Sequence, residues 1–193
     1  PLPLGVAWAD YNHDGHLDLF ITGGFGSPSN LFRNNGNGTM TDVAVAAGIN
    51  APDAVSPAWA DYDNDGDLEL YVARIDADNQ LYRNNGDGTF TDMASSAGVT
   101  NPNSESRSAD FGDYDNDGDV DLYVVNSING TNRADALYRN NGDGTFTDVI
   151  SDLGMDNTGD GVGVSWGDYD NDCDLDLYIS ARGGERLFQN NGD

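Results

Sequence analysis

Apolar and polar residues alternate along this chain in short stretches, and the alternation returns at regular intervals. In LELYV, residues 68–72, Leu68, Leu70 and Val72 share one side of an extended strand, while Glu69 and Tyr71 share the other. LDLFI from 17, VDLYV from 120 and LDLYI from 175 repeat the pattern, always with an aromatic residue beside the acid. A strand apolar on both sides belongs inside a sheet covered on both sides. Around it, the second unit reads as four short strands, about 55–61, 68–74, 80–84 and 89–93. NGDG between the third and fourth predicts a tight turn, because Asn and Gly tolerate positive φ. AVAAG near 44–48 and ASSAG near 94–98 have room for one helical turn at most.

The units repeat over the whole chain. DYNHDGHLDL begins at 10, DYDNDGDLEL at 61, DYDNDGDVDL at 113 and DYDNDCDLDL at 168, at spacings of 51, 52 and 55 residues. LFRNNGNGTMTD from 31, LYRNNGDGTFTD from 81 and from 137, and LFQNNGD from 187 alternate with them. Four-stranded units of about 50 residues that stack face to face predict an all-β fold, a β-propeller segment of about four antiparallel blades. The expected blades are 1–48, 49–98, 99–154 and 155–193. The last lacks a GTFTD strand, so the expectation is an incomplete blade of a longer chain, or one whose edge a neighbouring chain completes.

Charge sharpens this picture. The 193 residues carry eight basic and 34 acidic side chains, for a net charge of −26. All the bases are Arg, and 31 of the acids are Asp, a turn residue more than a helix residue. The four nine-residue loops that begin at 10, 61, 113 and 168 hold 18 of the 34 acids, so most of the acidity is local. Two carboxylates about 5 Å apart repel by roughly 3 kcal/mol at an effective dielectric of 20. Such loops need a cation among them or full solvation. This field argues against nucleic acid and anionic membranes as partners, and no apolar run predicts membrane insertion. The single cysteine, Cys173, excludes an internal disulfide.

An EF-hand also begins D-x-D-x-D-G, but it needs an acid at position 12. Position 12 here is Ile21, Val72, Val124 and Ile179, all strand residues, and the acid falls at position 9 instead. Calcium, which takes six to eight hard oxygen ligands in forgiving geometry, suits so many carboxylates better than magnesium, which retains water.

The acidic loop followed by an apolar strand, alternating with LYRNNGDGTFTD, resembles the FG-GAP/VCBS repeat family. The likeness is greatest to repeats that precede ASPIC/UnbV domains or occur in cartilage acidic protein-like proteins, and it extends distantly to the integrin α propeller. The resemblance implies a propeller, usually seven-bladed, with Ca2+ in the acidic loops. It implies side-chain ligands at positions 1, 3 and 5, a backbone carbonyl at 7 and a carboxylate at 9. Carried onto this chain, these are Asp61, Asp63, Asp65, Asp67 and Glu69 in the second repeat, and Asp113, Asp115, Asp117, Asp119 and Asp121 in the third. Asp168, Asp170, Asp172, Asp174 and Asp176 follow in the fourth, where Cys173 replaces a glycine. The first repeat offers Asp10, Asn12, Asp14, His16 and Asp18, with fewer carboxylates and weaker expected binding. Up to four Ca2+ ions are expected. Tyr62, Tyr114 and Tyr169, between ligands, are expected to pack.

Trp8, Trp59, Phe111 and Trp166 occupy one register and are expected in the core between blades. Arg33, Arg83 and Arg139 recur before the NNG turn and are expected to form structural ion pairs. Asn37 and Asn129 head N-glycosylation acceptor patterns. The segments where repeats differ, 22–30, 73–79, 125–136, 155–161 and 180–186, hold no clear nucleophile–base pair or phosphate loop, so no enzymatic activity is expected. The sequence thus predicts a calcium-binding extracellular or cell-surface scaffold for adhesion to a protein or glycan ligand, with self-assembly possible. The alternatives are a structural subunit of a surface fibre and an accessory propeller of a secreted polysaccharide-acting enzyme.

Overall fold

The computed structural model describes residues 4–102, 105–127, 134–155 and 160–192. The first sheet is built from β1 (Val6–Ala9), β2 (Asp18–Ile21), β3 (Asn30–Asn34) and β4 (Met40–Asp42). The second holds β5 (Ala54–Ala60), β6 (Glu69–Arg74), β7 (Gln80–Asn84) and β8 (Phe90–Asp92), followed by the single-turn helix α1 (Ala94–Ala97). The third holds β9 (Glu105–Gly112), β10 (Asp121–Ser127), β11 (Ala136–Asn140) and β12 (Phe146–Asp148). The fourth has three strands, β13 (Asp160–Gly167), β14 (Asp176–Arg182) and β15 (Arg186–Phe188). Within each sheet consecutive strands pair antiparallel in chain order, and β1, β5, β9 and β13 lie side by side at the inner edge. This is a β-propeller segment with an all-β core.

The alternation along the second strand of each sheet decides which neighbour each side chain meets. Leu70 and Val72 pack towards the first sheet, against Phe20 and Leu31. Tyr71 packs the other way, against Leu122 and Val124 of the third sheet. Tyr123 and Val125 in turn meet Leu177 and Ile179 of the fourth. Leu70, Tyr71 and Val72 are all fully buried. Each such side chain stabilises the fold by about 1.5–3 kcal/mol through lost contact with water.

The aromatic register behaves as expected at three of four positions. Trp59 stacks on Tyr11 of the preceding sheet with ring centroids 6.2 Å apart, and Phe111 meets Tyr71 edge-on at 6.4 Å. Trp166 stacks on Tyr114 at 6.5 Å and meets Tyr123 edge-on at 6.3 Å. Trp8 differs: it is 56% exposed, because among the described residues no sheet lies against its face of the first sheet. Tyr169 and Tyr178 are exposed on the opposite end face for the same reason, although Tyr62 and Tyr71 at the matching positions are buried.

Candidate metal centres

Each acidic loop is the hairpin connection between the first and second strands of its sheet. The register pairs Ala60 with Glu69, Gly112 with Asp121 and Gly167 with Asp176, so position 9 opens the second strand and is drawn into the sheet. Ala9 pairs with Asp18 in the first sheet. Each position-9 acid is consequently buried, as is the position-2 tyrosine of the first two loops, while positions 4 to 6 arch outwards into solvent.

Within the arch the position-1 acid organises the backbone. Asp61 accepts from the amides of Asp65 and Gly66 at 3.1 and 3.0 Å, and Asp113 accepts from those of Asp117 and Gly118, both at 3.1 Å. Asp168 and Asp10 make the matching bonds to Asp172 and Cys173 and to Asp14 and Gly15. The position-5 acids Asp14, Asp65, Asp117 and Asp172 each accept from the position-7 amide at 2.9–3.0 Å. Two residues per loop adopt positive φ: position 4, at 55–65°, and position 6, at 84° in Gly15 and 95° in Gly66 and Gly118. Cys173 takes the same turn at 78°, where its Cβ is strained by about 1–2 kcal/mol.

Three sets of oxygens converge. Carboxylate atoms of Asp61, Asp63 and Glu69 lie within 4.8 Å of one another, as do those of Asp113, Asp115 and Asp121 and those of Asp168, Asp170 and Asp176. These are positions 1, 3 and 9. The first loop, with Asn12 at position 3, has only two carboxylates in the matching places, Asp10 and Asp18. The side chains at position 7 point away: Asp67, Asp119 and Asp174 lie over Gly86, Gly142 and Gly192 of the NNG turn, and His16 lies over Gly36.

The electrostatics of the trios fit a cation. Asp63 Oδ1, Glu69 Oε1 and Asp18 Oδ2 are buried oxygens without a hydrogen-bond partner. An orphaned buried acceptor is costly unless something positive meets it. Burial, then repulsion from Asp63, pushes Glu69 up to about 8. Burial pushes Asp121 up to about 7 against the hydrogen bonds from Asn140 and Tyr114. Asp18, Asp63 and Asp115 are also raised, chiefly by burial. A divalent ion favours the ionised forms that burial disfavours. The donor set, all hard oxygens, is of the chemical kind that calcium-type cations take.

Sequence reasoning missed the asparagines. Asn84, Asn140 and Asn190, the first of each NNG, donate from Nδ2 to the carbonyls of Tyr11, Tyr62 and Tyr114 in the preceding loop at 2.9, 2.8 and 2.7 Å. The backbone amides of Asn140 and Asn190 donate to the position-9 acids Asp121 and Asp176. Their repetition beside the loops was the available signal, and it reads as turn chemistry unless the blades are seen together. The arginines depart from expectation: among the described residues Arg33, Arg83 and Arg139 enter no ion pair within 4.0 Å. The position is nevertheless near position 3, since its fourth-repeat counterpart Gln189 donates to Asp170 Oδ2 at 2.7 Å. Asn37 is exposed in a turn where its Oδ1 accepts from Thr39, as Asp87 does from Thr89. The Asn129 pattern lies outside the described residues.

The fold and site together define a β-propeller whose blades carry acidic, cation-suited loops at one end. A profile of the FG-GAP-like repeat matches residues 10–72, 63–124 and 123–179, and the chain belongs to that family. Cartilage acidic protein 1 of Mus musculus is 30% identical over 169 residues, which is 84% of this chain and 26% of the relative. The Homo sapiens protein of that name is 28% identical over 84% of this chain and 25% of its own length. The chain thus spans about a quarter of the curated relatives it matches. A solved structure of an Agrocybe aegerita lectin, which recognises non-reducing terminal N-acetylglucosamine, shares the fold with a TM-score of 0.52. It is 23% identical, and the match covers 97% of this chain and 49% of that one.

Proposed function

We propose that this chain is a non-catalytic extracellular scaffold whose blades are held by Ca2+ and whose loops bind a protein or glycan. The observation that carries the reading is the convergence of three acid trios at one end of successive blades, with buried, orphaned oxygens on Asp63 and Glu69 in the second loop. Asp61, Asp63 and Glu69 would hold one ion, and Asp113, Asp115 and Asp121 and then Asp168, Asp170 and Asp176 two more. Position 5 and the position-7 carbonyl complete each set, and the first loop, through Asp10, Asn12, Asp14, the His16 carbonyl and Asp18, binds most weakly. When bound, the ion neutralises clustered carboxylates and fixes the loop. Sites of modest affinity fill in millimolar extracellular calcium, which supports a secreted or surface location. Among the described residues no helix is long and apolar enough to cross a membrane.

Recognition is directed to the groove of about 810 Å3 between the first and second blades, where His13 and His16 replace the Asn and Asp of the other acidic loops. His13, His16 and Arg33 line it beside Asp67 and Asp87, a polar surface suited to hydroxyl-rich ligands. The lectin fold neighbour and the cartilage acidic protein relatives support a glycan or extracellular protein partner. Binding to a panel of immobilised glycans and matrix proteins, in calcium and in chelator, tests this. Calcium-dependent retention of one class, lost in Arg33→Ala, is expected. Failure to bind any member in calcium counts against a recognition role.

Self-association is a second reading, favoured by the two end faces. Trp8, Leu17 and Met40 on one, and Tyr169, Tyr178 and Leu187 on the other, occupy the two sides of the joint that is buried three times within the molecule. A head-to-tail contact of this kind closes into a ring or extends as a filament. Sedimentation across a hundredfold concentration range should show assembly that Trp8→Glu abolishes. A constant monomer throughout would exclude it.

A further inference from the structure

Adjacent acidic loops are joined by hydrogen bonds that run from one trio to the next. Glu69 Oε2 accepts from the amide of Tyr62 at 3.2 Å, the carbonyl of Tyr62 accepts from Asn140 Nδ2 at 2.8 Å, and the amide of Asn140 donates to Asp121 Oδ1 at 2.8 Å. The path continues: Asp121 Oδ2 accepts from the amide of Tyr114 at 3.0 Å, whose carbonyl accepts from Asn190 Nδ2 at 2.7 Å, and the amide of Asn190 reaches Asp176 Oδ1 at 2.9 Å. The position-9 acids of the second, third and fourth loops are therefore linked through the backbone of one tyrosine and one asparagine at each step.

A second connection bridges the loop tips. Asn64 Nδ2 donates to Asp119 Oδ1 at 2.6 Å, and Asn116 Nδ2 donates to Asp174 Oδ1 at 2.7 Å. His13 Nε2 stands 3.2 Å from Asp67 Oδ1 in the same place. Each donor sits at position 4, at positive φ, between positions 3 and 5 of its own loop. Each acceptor belongs to position 7 of the next loop, whose carbonyl is among the proposed donors. Closing one loop around a cation therefore fixes the side chain that holds the next loop in register.

We propose that Asn64, Asn116, Asn140 and Asn190 are positioning residues that couple neighbouring cation sites, so that Ca2+ at one loop raises affinity at the next. The proposal rests on the calcium reading above. Ordering shared between two sites gives positive cooperativity whenever the first ligand has already ordered what the second must order. Relief of charge repulsion would also couple the sites, but in about 1 M salt the screening length falls to about 3 Å. Coupling through the asparagines persists there.

The test follows the amides of Gly66 and Gly118 by NMR during calcium titration of the full chain in 1 M NaCl. Asn64→Gly removes the tip bridge and retains the backbone conformation, and Asn116→Gly does the same for the fourth loop, reported by the Cys173 amide. In the wild type the two glycine signals should titrate together with a Hill coefficient above 1. In Asn64→Gly the midpoint at Gly118 should rise about fivefold or more, the usual lower range of coupling between sites, while the signals separate. A merely structural role would lower thermal stability and leave the Gly118 midpoint in place. Independent titration of the wild-type loops, or an unmoved Gly118 midpoint in Asn64→Gly, overturns the coupling and leaves the calcium reading standing. No calcium response at either glycine removes the calcium reading, and the coupling with it.

Discussion

Two side chains in equivalent loops show how single residues set the behaviour of a site. Cys173 stands where Gly66 and Gly118 provide the turn, and it adopts the same positive φ. Cys173→Gly should relieve about 1–2 kcal/mol of strain. That corresponds to roughly 2–6 °C in melting temperature for a chain of this size, which a thermal scan of the two proteins will show; an unchanged or lower value would mean that the loop has relaxed around the cysteine. Glu69 and Asp121 supply a pH dependence. Raised chiefly by burial to about 8 and about 7, both bind protons more tightly in the folded protein than in the unfolded chain, where Glu and Asp titrate near 4. Their contribution is complete below about pH 4 and is lost as the pH rises through those folded values. Chelated protein should therefore melt progressively lower between about pH 5 and 8, and Glu69→Gln should flatten the slope. Saturating calcium should remove it, since the ion stabilises the ionised acids. A chelated protein that gains stability over this range would contradict the burial argument. The acid positions were legible in the sequence because their spacing survives in any conformation. Which three of the five carboxylates converge was not legible, since it follows from where the hairpin register places position 9.

At the level of elements, the alternation in LELYV and its relatives was sufficient to place the second strands and both of their buried faces. The observed strand ends differ from the expected ones by a residue or two, as fraying ends do. Equivalent positions in different blades nevertheless differ in burial: Leu81 is fully buried, whereas Leu187 is 51% exposed. Leu81→Ala should cost about 2–5 kcal/mol in denaturant unfolding through transfer and cavity terms. Leu187→Ala in dilute, monomeric protein should cost under about 1 kcal/mol. Equal losses at both positions would mean that the end face is covered in solution. This contrast is invisible to periodicity, which assigns both leucines the same role, and Trp8 is misjudged for the same reason. The asparagine bridges are hidden too, because Asn140 and Tyr62 are 78 residues apart and meet only when two blades stack.

For the whole molecule, the question is why a chain of net charge −26 collapses at all. Its apolar sides are shared between blades in three continuous clusters. Half of its acidity is gathered into loops at one end, where position 9 is buried in every blade. Repetition made the four-stranded sheets readable from the chain alone, and the charge distribution marked the loops whose acids the fold brings together. One site at 100 times its dissociation constant stabilises the fold by about 2.7 kcal/mol, so several sites are comparable with the whole stability of a domain. A calcium dependence of stability is therefore expected. Its most direct test is thermal unfolding of chelated protein across a calcium titration, with magnesium as control and bound ions counted by native mass spectrometry. A large calcium-specific rise in melting temperature, with three or four ions bound, is the expected result. An unchanged melting temperature with no ion bound would contradict it, and would leave the acidic loops as solvated turns on a propeller held by its apolar clusters alone.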